Sequence, residues 1–178
     1  FFFFALLFVA LVLQLTYVQV WAAPDLKTNP SNTRAVEEVT REAFWNLYVP
    51  GCSEHYIAHA LRRHVDFIPE LDFVAVVNGR VVGNIMYTRA RLASDAGGSL
   101  EIASFGPLCV HPEFQRLGIG SGLIRHSLPV AQGLGFGVVA IYGDPHNYCK
   151  HGFRNGRDLA ISDSNGLAPA GVILRMTW

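Results

Sequence analysis

The spacing of apolar and polar residues predicts two helices in the first third of the chain. From residue 33 to residue 47, apolar side chains recur every three or four positions and charged side chains fill the gaps, as in an amphipathic helix. Residues 31–33 (Ser, Asn and Thr) are candidate N-caps, and Pro50-Gly51 ends the helix. A second, shorter helix is expected after Ser53, which is also a good N-cap.

The pattern then changes to runs of β-branched and aromatic residues, which predict strands. Phe73–Val77 leads into Asn78-Gly79, the dipeptide most typical of a tight hairpin turn, and residues 80–88 form the returning strand. After a loop rich in glycine and serine, residues 100–110 predict a third strand. A helix is expected from about residue 117 to 132, and a strand at 137–142 follows it.

The apolar N-terminus has three interpretations. Residues 1–15 and the eight that follow are free of charge, and about 20 such residues can span a bilayer. The same stretch resembles a secretory signal that ends near Ala22-Ala23. Alternatively, Tyr17–Trp21 alternates in polarity as a half-buried strand does. We expect an apolar leader at 1–15, which is a stray segment outside the fold, a signal or an anchor, and a single domain at 16–178. The expected localisation is cytoplasmic, unless residues 1–22 anchor the chain in a membrane or direct its export.

These elements give a fold class. With the strand near residue 19, a further helix, and a C-terminal strand at 171–178, the order is β-α-α-β-β-β-α-β-α-β. Strands that first form a meander and then alternate with helices are typical of an α+β fold (α/β three-layer). We therefore predict a mixed, mostly antiparallel sheet flanked by helices, with a crossover helix after residue 110.

Composition narrows the classes of function. Fourteen basic and 14 acidic residues cancel to a formal net charge of zero, which argues against a nucleic-acid partner. Cys52, Cys109 and Cys149 have no metal-ligand spacing and are odd in number, so reduced thiols are expected. His55 and His59 are four residues apart on the second helix, but no third ligand is evident. We predict no metal site.

The clearest chemistry lies where a strand gives way to a helix, at Gln115-Arg116-Leu117-Gly118-Ile119-Gly120. The first turn of a helix has backbone N–H groups without intrahelical partners and carries the positive end of the helix dipole. This stretch is therefore a candidate phosphate cradle. It matches neither the P-loop nor the dinucleotide-binding fingerprint, and glycines at this point could also serve only to allow a tight turn.

The surroundings of this turn resemble a known family. The string V-x-P-x-x-Q-R-x-G-I-G-x-x-L, which starts at Val110, resembles the acetyl-CoA signature of the GNAT N-acetyltransferase superfamily. The sequence YCKHGF at 148–153 fits the layout of that family. TREAFWNLYVPG at 40–51 and ELDFVAVVNGRVVGNIMYTRA at 70–90 resemble its YhbS-like branch of uncharacterised acetyltransferases. The resemblance implies a GNAT-like sheet for the whole expected domain.

The resemblance also implies an activity. The chain would be an acyltransferase (EC 2.3.1.-) that moves an acetyl group from acetyl-CoA, its co-substrate, directly to a primary amine through a tetrahedral intermediate. The acceptor would be a small-molecule or peptide amine, and the protein a monomer or homodimer. The alternative is a non-catalytic module that binds or senses acyl-CoA.

The resemblance implies roles for individual residues. The pantetheine arm would pair with the strand before the turn, and an N–H near Leu108 would stabilise negative charge on the thioester oxygen. Pro107 would mark the distortion that opens this strand, because proline cannot donate to a sheet. Tyr148 would be the acid that faces the leaving sulfur. The expected cofactor-binding residues are Leu108, Cys109, Val110, Gln115, Arg116, Leu117, Gly118, Ile119, Gly120 and Ser121.

The sequence does not identify the general base. Ser104 stands where some relatives carry a glutamate, and Glu101 points to the other face of an ideal strand unless a bulge changes the alternation. A base acting through water, or an amine that arrives neutral, is an equal alternative. His111 and His146 flank the expected site, and histidine titrates near neutral pH, but loop or capping roles are favoured for both. A covalent acyl-cysteine is the less favoured mechanism.

Overall fold

The computed structural model describes residues 19–22, 30–94, 97–162 and 171–174. Its six-stranded sheet has the order β1-β2-β3-β4-β5-β6, and every neighbouring pair is antiparallel except the parallel pair β4–β5. The elements are β1 (Gln19–Ala22), α1 (Pro30–Phe44), α2 (Glu54–Leu61), β2 (Phe67–Val77), β3 (Arg80–Ala93), β4 (Ser99–Val110), α3 (Ile119–Gly133), β5 (Val138–Ile141) and β6 (Gly171–Leu174). The predicted α+β class and mostly antiparallel sheet are confirmed.

The sheet is covered on both faces, and β2 shows how its residues are divided. Phe73 and Ala75 belong to the large core formed with α3, whereas Val74 between them packs with Val36 of α1 on the other face. This alternation follows from the two-residue period of a strand. Because Val36 and Phe73 are at most 1% exposed, each contributes about 1.5–3 kcal/mol of hydrophobic stabilisation.

Two predictions about the elements were wrong. The helix expected between β5 and β6 is replaced, in the part that the structure describes, by three short 3-10 turns at 145–147, 149–151 and 156–159. Gly152, in the left-handed conformation with φ of 87°, ends the second of these turns, so a helix that began near residue 145 cannot continue past it. Strands β2 and β3 are also longer than predicted.

The apolar leader predicted at 1–15 lies outside the described residues, as do the last four residues of the chain. The strand considered at Tyr17–Trp21 is present in its described part, because β1 (Gln19–Ala22) pairs with β2. Among the helices that are described, none combines the length and the apolar character required to cross a membrane.

Candidate active site

Strand β4 separates from its neighbour β5 halfway along its length. The two strands pair only at Ala103 and Ser104, and β4 then continues for six residues without β5 beside it. A register shift against β3 follows, in which Gly106 and Pro107 together oppose the single residue Met86. The distortion predicted at Pro107 is therefore present as a bulge, where a residue without an N–H is tolerated. The backbone of residues 105–110 is left with a free edge toward β5.

A cavity of about 500 Å³ lies at this opening. Nine of the ten expected cofactor-binding residues line it, and so does Tyr148. The tenth, Leu117, is 55% exposed and is not part of the wall. The remaining wall comes from the end of α1 and the loop after it, the turn after β4, α3 and the segment after β5: Ala43, Phe44, Leu47, Tyr48, Phe114, Ile124, Asn147, Lys150 and His151.

The glycine turn has the geometry of an anion cradle. Gly118 is the N-cap of α3 and is left-handed, with φ of 83° and ψ of 3°, so the helix begins at Ile119 immediately after the turn. The first turn of α3 contains no acidic residue that would compete for its N–H groups. The side-chain amide of Gln115 donates to the carbonyl oxygen of Val110 (3.1 Å), which fixes the turn to the end of β4.

Gly83 of β3 is a supporting residue that the sequence did not single out. A Cβ at this position would lie 3.0 Å from the carbonyl oxygen of Cys109 and 3.3 Å from Cγ2 of Ile119. Only glycine therefore allows β3, the end of β4 and the start of α3 to approach this closely. The sequence signal, an isolated glycine inside a strand, was present but is common to many unrelated strand positions.

Tyr148 occupies a buried part of the cavity wall. It is 9% exposed, and its ring makes edge contacts with Phe105 and Phe153 at centroid distances of 5.8 and 6.1 Å. Burial, with smaller contributions from the nearby Tyr48 and Asp144, raises the pKa of Tyr148 to about 12. The hydroxyl therefore keeps its proton throughout the physiological pH range.

Of the two histidines considered as bases, His111 is an N-cap, whereas His146 lies in a short turn that Asp144 caps. His111 is buried, its Nδ1 accepts from the N–H of Glu113 (3.2 Å), and its Nε2 lies 2.7 Å from the Glu42 carboxylate. His146 has a side chain that is 93% exposed, and it pairs with Asp144 at 2.9 Å. Neither imidazole belongs to the wall of the cavity. The structure thus agrees with the favoured roles, capping for His111 and a loop position for His146.

The two candidate bases on β4 are also distant from the cavity wall. Glu101 lies near the start of the strand, where it is exposed and 3.6 Å from Arg89. Ser104 lies between Thr88 and Ala140, at the last position where β4 and β5 pair. The resemblance aligned Ser104 with the base of some relatives, and Glu101 was expected on the other face of the strand; neither residue lines the described cavity.

The thiol of Cys109 points away from the cradle. It is 2% exposed, and its Sγ lies 3.3 Å from Oγ1 of Thr40 on α1. Burial raises the pKa of this thiol to about 11, so it is protonated and a poor nucleophile at neutral pH. All three cysteines are free, as predicted.

Among the described residues, no group of three histidine, cysteine or acidic side chains is placed to hold a metal ion. His59, one of the pair considered as ligands, instead contacts Glu37 through Nδ1 at 2.8 Å.

Comparison with known proteins gives the relatives of this chain. The family model of the acetyltransferase (GNAT) domain matches residues 70–155. The uncharacterized N-acetyltransferase YjhQ of Escherichia coli (strain K12) is 31% identical over 127 residues, which are 71% of this chain. The same match covers 66% of YjhQ, just under two thirds of its length.

Solved structures show the same fold. A GNAT family acetyltransferase from Brucella melitensis, in complex with acetyl-CoA, is similar with a TM-score of 0.63 and 27% identity, covering 78% of this chain and 83% of that one. YhbS from Escherichia coli, in complex with CoA, has a TM-score of 0.69 and 19% identity, covering 88% and 81%. The likeness to YhbS concerns the fold alone. From the motif, the opened strand and these relatives together, the chain belongs to the GNAT N-acetyltransferase superfamily.

Proposed function

We propose that the protein transfers an acetyl group from acetyl-CoA to a primary amine. The observation that carries this proposal is a single cavity whose wall contains the free edge of β4, the N-terminus of α3 and Tyr148. These are the three parts that binding and cleaving a CoA thioester requires: a backbone edge, an anion site and a hydrogen-bond donor. The Brucella melitensis relative, which was solved with acetyl-CoA, supports the choice of acyl donor.

The charges of the wall suit a polyanionic cofactor. Arg116, Lys150 and His151 line the cavity, and no aspartate or glutamate is found among its described lining residues. We assign the pyrophosphate to the backbone N–H groups of residues 116–121 and the pantetheine arm to Leu108–Val110. When bound, acetyl-CoA would supply the activated acyl group. The chain itself orients the thioester and excludes water.

Tyr148 serves this reaction as a hydrogen-bond donor. An alkyl thiol has a pKa of about 8.5, whereas burial raises the pKa of Tyr148 to about 12. Complete proton transfer from this phenol to a thiolate would therefore run uphill by about 3.5 pKa units. The hydroxyl instead stabilises the negative charge that develops on the leaving sulfur, while the N–H near Leu108 stabilises the charge on the acyl oxygen.

We assign removal of the amine proton to solvent. None of Glu101, Ser104, His111 and His146 lines the described cavity, so no residue considered as a base is placed to take the proton directly. An acceptor that arrives neutral needs no such residue. The rate should then rise with pH until the acceptor amine is fully deprotonated.

The absence of Glu101, Ser104, His111 and His146 from the described wall of the cavity favours a second candidate, a module that binds or senses acyl-CoA without turnover. The deciding experiment measures two quantities on the same protein. Calorimetry gives the affinity for acetyl-CoA, and a thiol reagent follows CoA release in the presence of a panel of aliphatic, aromatic and peptide amines. Binding with amine-dependent release supports the enzyme. Binding without release from any amine supports the module, and failure to bind contradicts both.

A further inference from the structure

Basic side chains gather beside the glycine turn without acidic partners. Lys150 and His151 line the cavity from the segment after β5. Arg125, on the second turn of α3, lies close enough to His151 to lower the pKa of that histidine. No ion pair within the described part of the chain joins Lys150, His151 or Arg125 to a carboxylate. This cluster adds to Arg116, which belongs to the cradle itself.

His151 is the unusual member of the cluster. Its Nε2 is shielded from solvent and has no hydrogen-bond partner among the described residues. Partial burial lowers the pKa of His151, and the positive charges of Lys150 and Arg125 lower it further. Both effects favour the neutral imidazole in the free protein. A buried polar atom without a partner is costly in a folded protein, so its presence in a cavity wall needs an explanation.

We propose that Lys150, His151 and Arg125 form a second phosphate site, distinct from the cradle at 116–121, which takes the ribose phosphate of CoA. This inference rests on the proposed function, because CoA carries a phosphate monoester on its ribose as well as the pyrophosphate. A phosphate monoester contributes about −1.5 to −2 charges at pH 7, which matches a cluster of cations without carboxylates. The pyrophosphate alone would leave this cluster without a counter-charge.

A phosphate bound beside His151 would change the protonation of its imidazole. An anion beside the imidazole favours its charged form, which opposes the effects of burial and of the neighbouring cations. His151 would then take up a proton when the cofactor binds. Because its pKa is higher in the complex than in the free protein, this part of the affinity is present at low pH. This contribution to the affinity is lost as the pH rises through the pKa that His151 has in the complex.

The test compares CoA with dephospho-CoA, which keeps the pyrophosphate and lacks the ribose phosphate. Wild-type protein should prefer CoA by about tenfold, since hydrogen bonds to charged groups contribute about 1.5–3 kcal/mol. H151Q and K150Q should each lose most of this preference, because each should weaken the binding of CoA more than that of dephospho-CoA. H64Q is the matched control, because His64 is exposed, lies near Asp66 and does not line the cavity.

Calorimetry in buffers of different ionisation enthalpy separates the proton linkage from the affinity. CoA binding should take up more protons in wild-type protein than in H151Q. The comparison is made between variants because the phosphate monoester itself titrates near pH 6. If wild type and H151Q give equal proton uptake and equal preference for CoA, the second phosphate site is wrong and the proposed function is untouched. If wild type binds neither cofactor, the proposed function fails.

Discussion

Replacing Tyr148 with phenylalanine tests the assignment of the donor to the leaving sulfur. The ring of the variant keeps its edge contacts with Phe105 and Phe153. No hydrogen bond to another described residue is among the causes of the raised pKa of Tyr148, so removing the hydroxyl should change the free energy of unfolding by less than about 1 kcal/mol. A hydrogen bond to a charged group contributes about 1.5–3 kcal/mol. Its loss from the transition state lowers kcat by about 10- to 150-fold.

The assay follows CoA release at saturating acetyl-CoA, with the amine that gives the fastest turnover. We expect Y148F to lower kcat and to leave the affinity for acetyl-CoA within about twofold of wild type, because the lost contact forms only in the transition state. Y87F is the matched control. Tyr87 is buried like Tyr148, but its hydroxyl bonds to Ser127 (2.7 Å) and it does not line the cavity.

The two variants should behave in opposite ways. Y87F should lower the free energy of unfolding by about 1 kcal/mol through the lost hydrogen bond and keep wild-type kcat. Y148F should keep its stability and lose activity. Because burial raises the pKa of Tyr148 to about 12, its neutral form persists as the pH rises, and wild-type activity should show no decline due to this group below about pH 11. Wild-type kcat in Y148F would refute the assignment.

Three further substitutions test the cradle, its support and the mechanism. G118V places a β-branched residue at φ of 83° and should weaken CoA binding in calorimetry by about tenfold, whereas G133A, at the end of the same helix, should not. G83V should lower the thermal midpoint markedly, by about 4 °C or more, because its Cβ would meet the Cys109 carbonyl at 3.0 Å. C109A should keep kcat within about threefold, and an acetylated cysteine in the mass spectrum of wild type would overturn the direct mechanism.

Local signals in the sequence were sufficient to predict the elements that carry the cradle. The Asn78-Gly79 hairpin and the turn around Gly118 depend on backbone conformations that a few residues set by themselves, with φ values of 50°, 77° and 83°. The length of β2 could not be predicted in this way. Its first residues are a strand because Phe67 and Ile68 pair with β3 across a register shift, and pairing partners distant in sequence leave no local pattern.

The same distinction separates the residues of the site that were found from those that were missed. The cofactor residues on β4 and α3 lie in one continuous motif. By contrast, Phe44, Leu47 and Tyr48 reach the cavity only because α1 packs across the end of β4. His151 lies within YCKHGF, yet its lowered pKa comes first from burial and then from Lys150 and from Arg125 of α3. Such roles follow from tertiary neighbours and from burial, which spacing along the chain does not encode.

The distribution of charge in the cavity favours a mechanism based on positioning. A direct acid–base mechanism would require an acid more acidic than a thiol and a base beside the amine, but Tyr148 has a pKa of about 12 and the considered bases are elsewhere. Fixed donors remain: the N–H groups of β4, those of α3 and one phenol. Such donors act on charge that develops in the transition state, without changing their own protonation. Acceptor preference should accordingly follow the fraction of amine that is neutral at the working pH, and weakly basic amines should react fastest near pH 7.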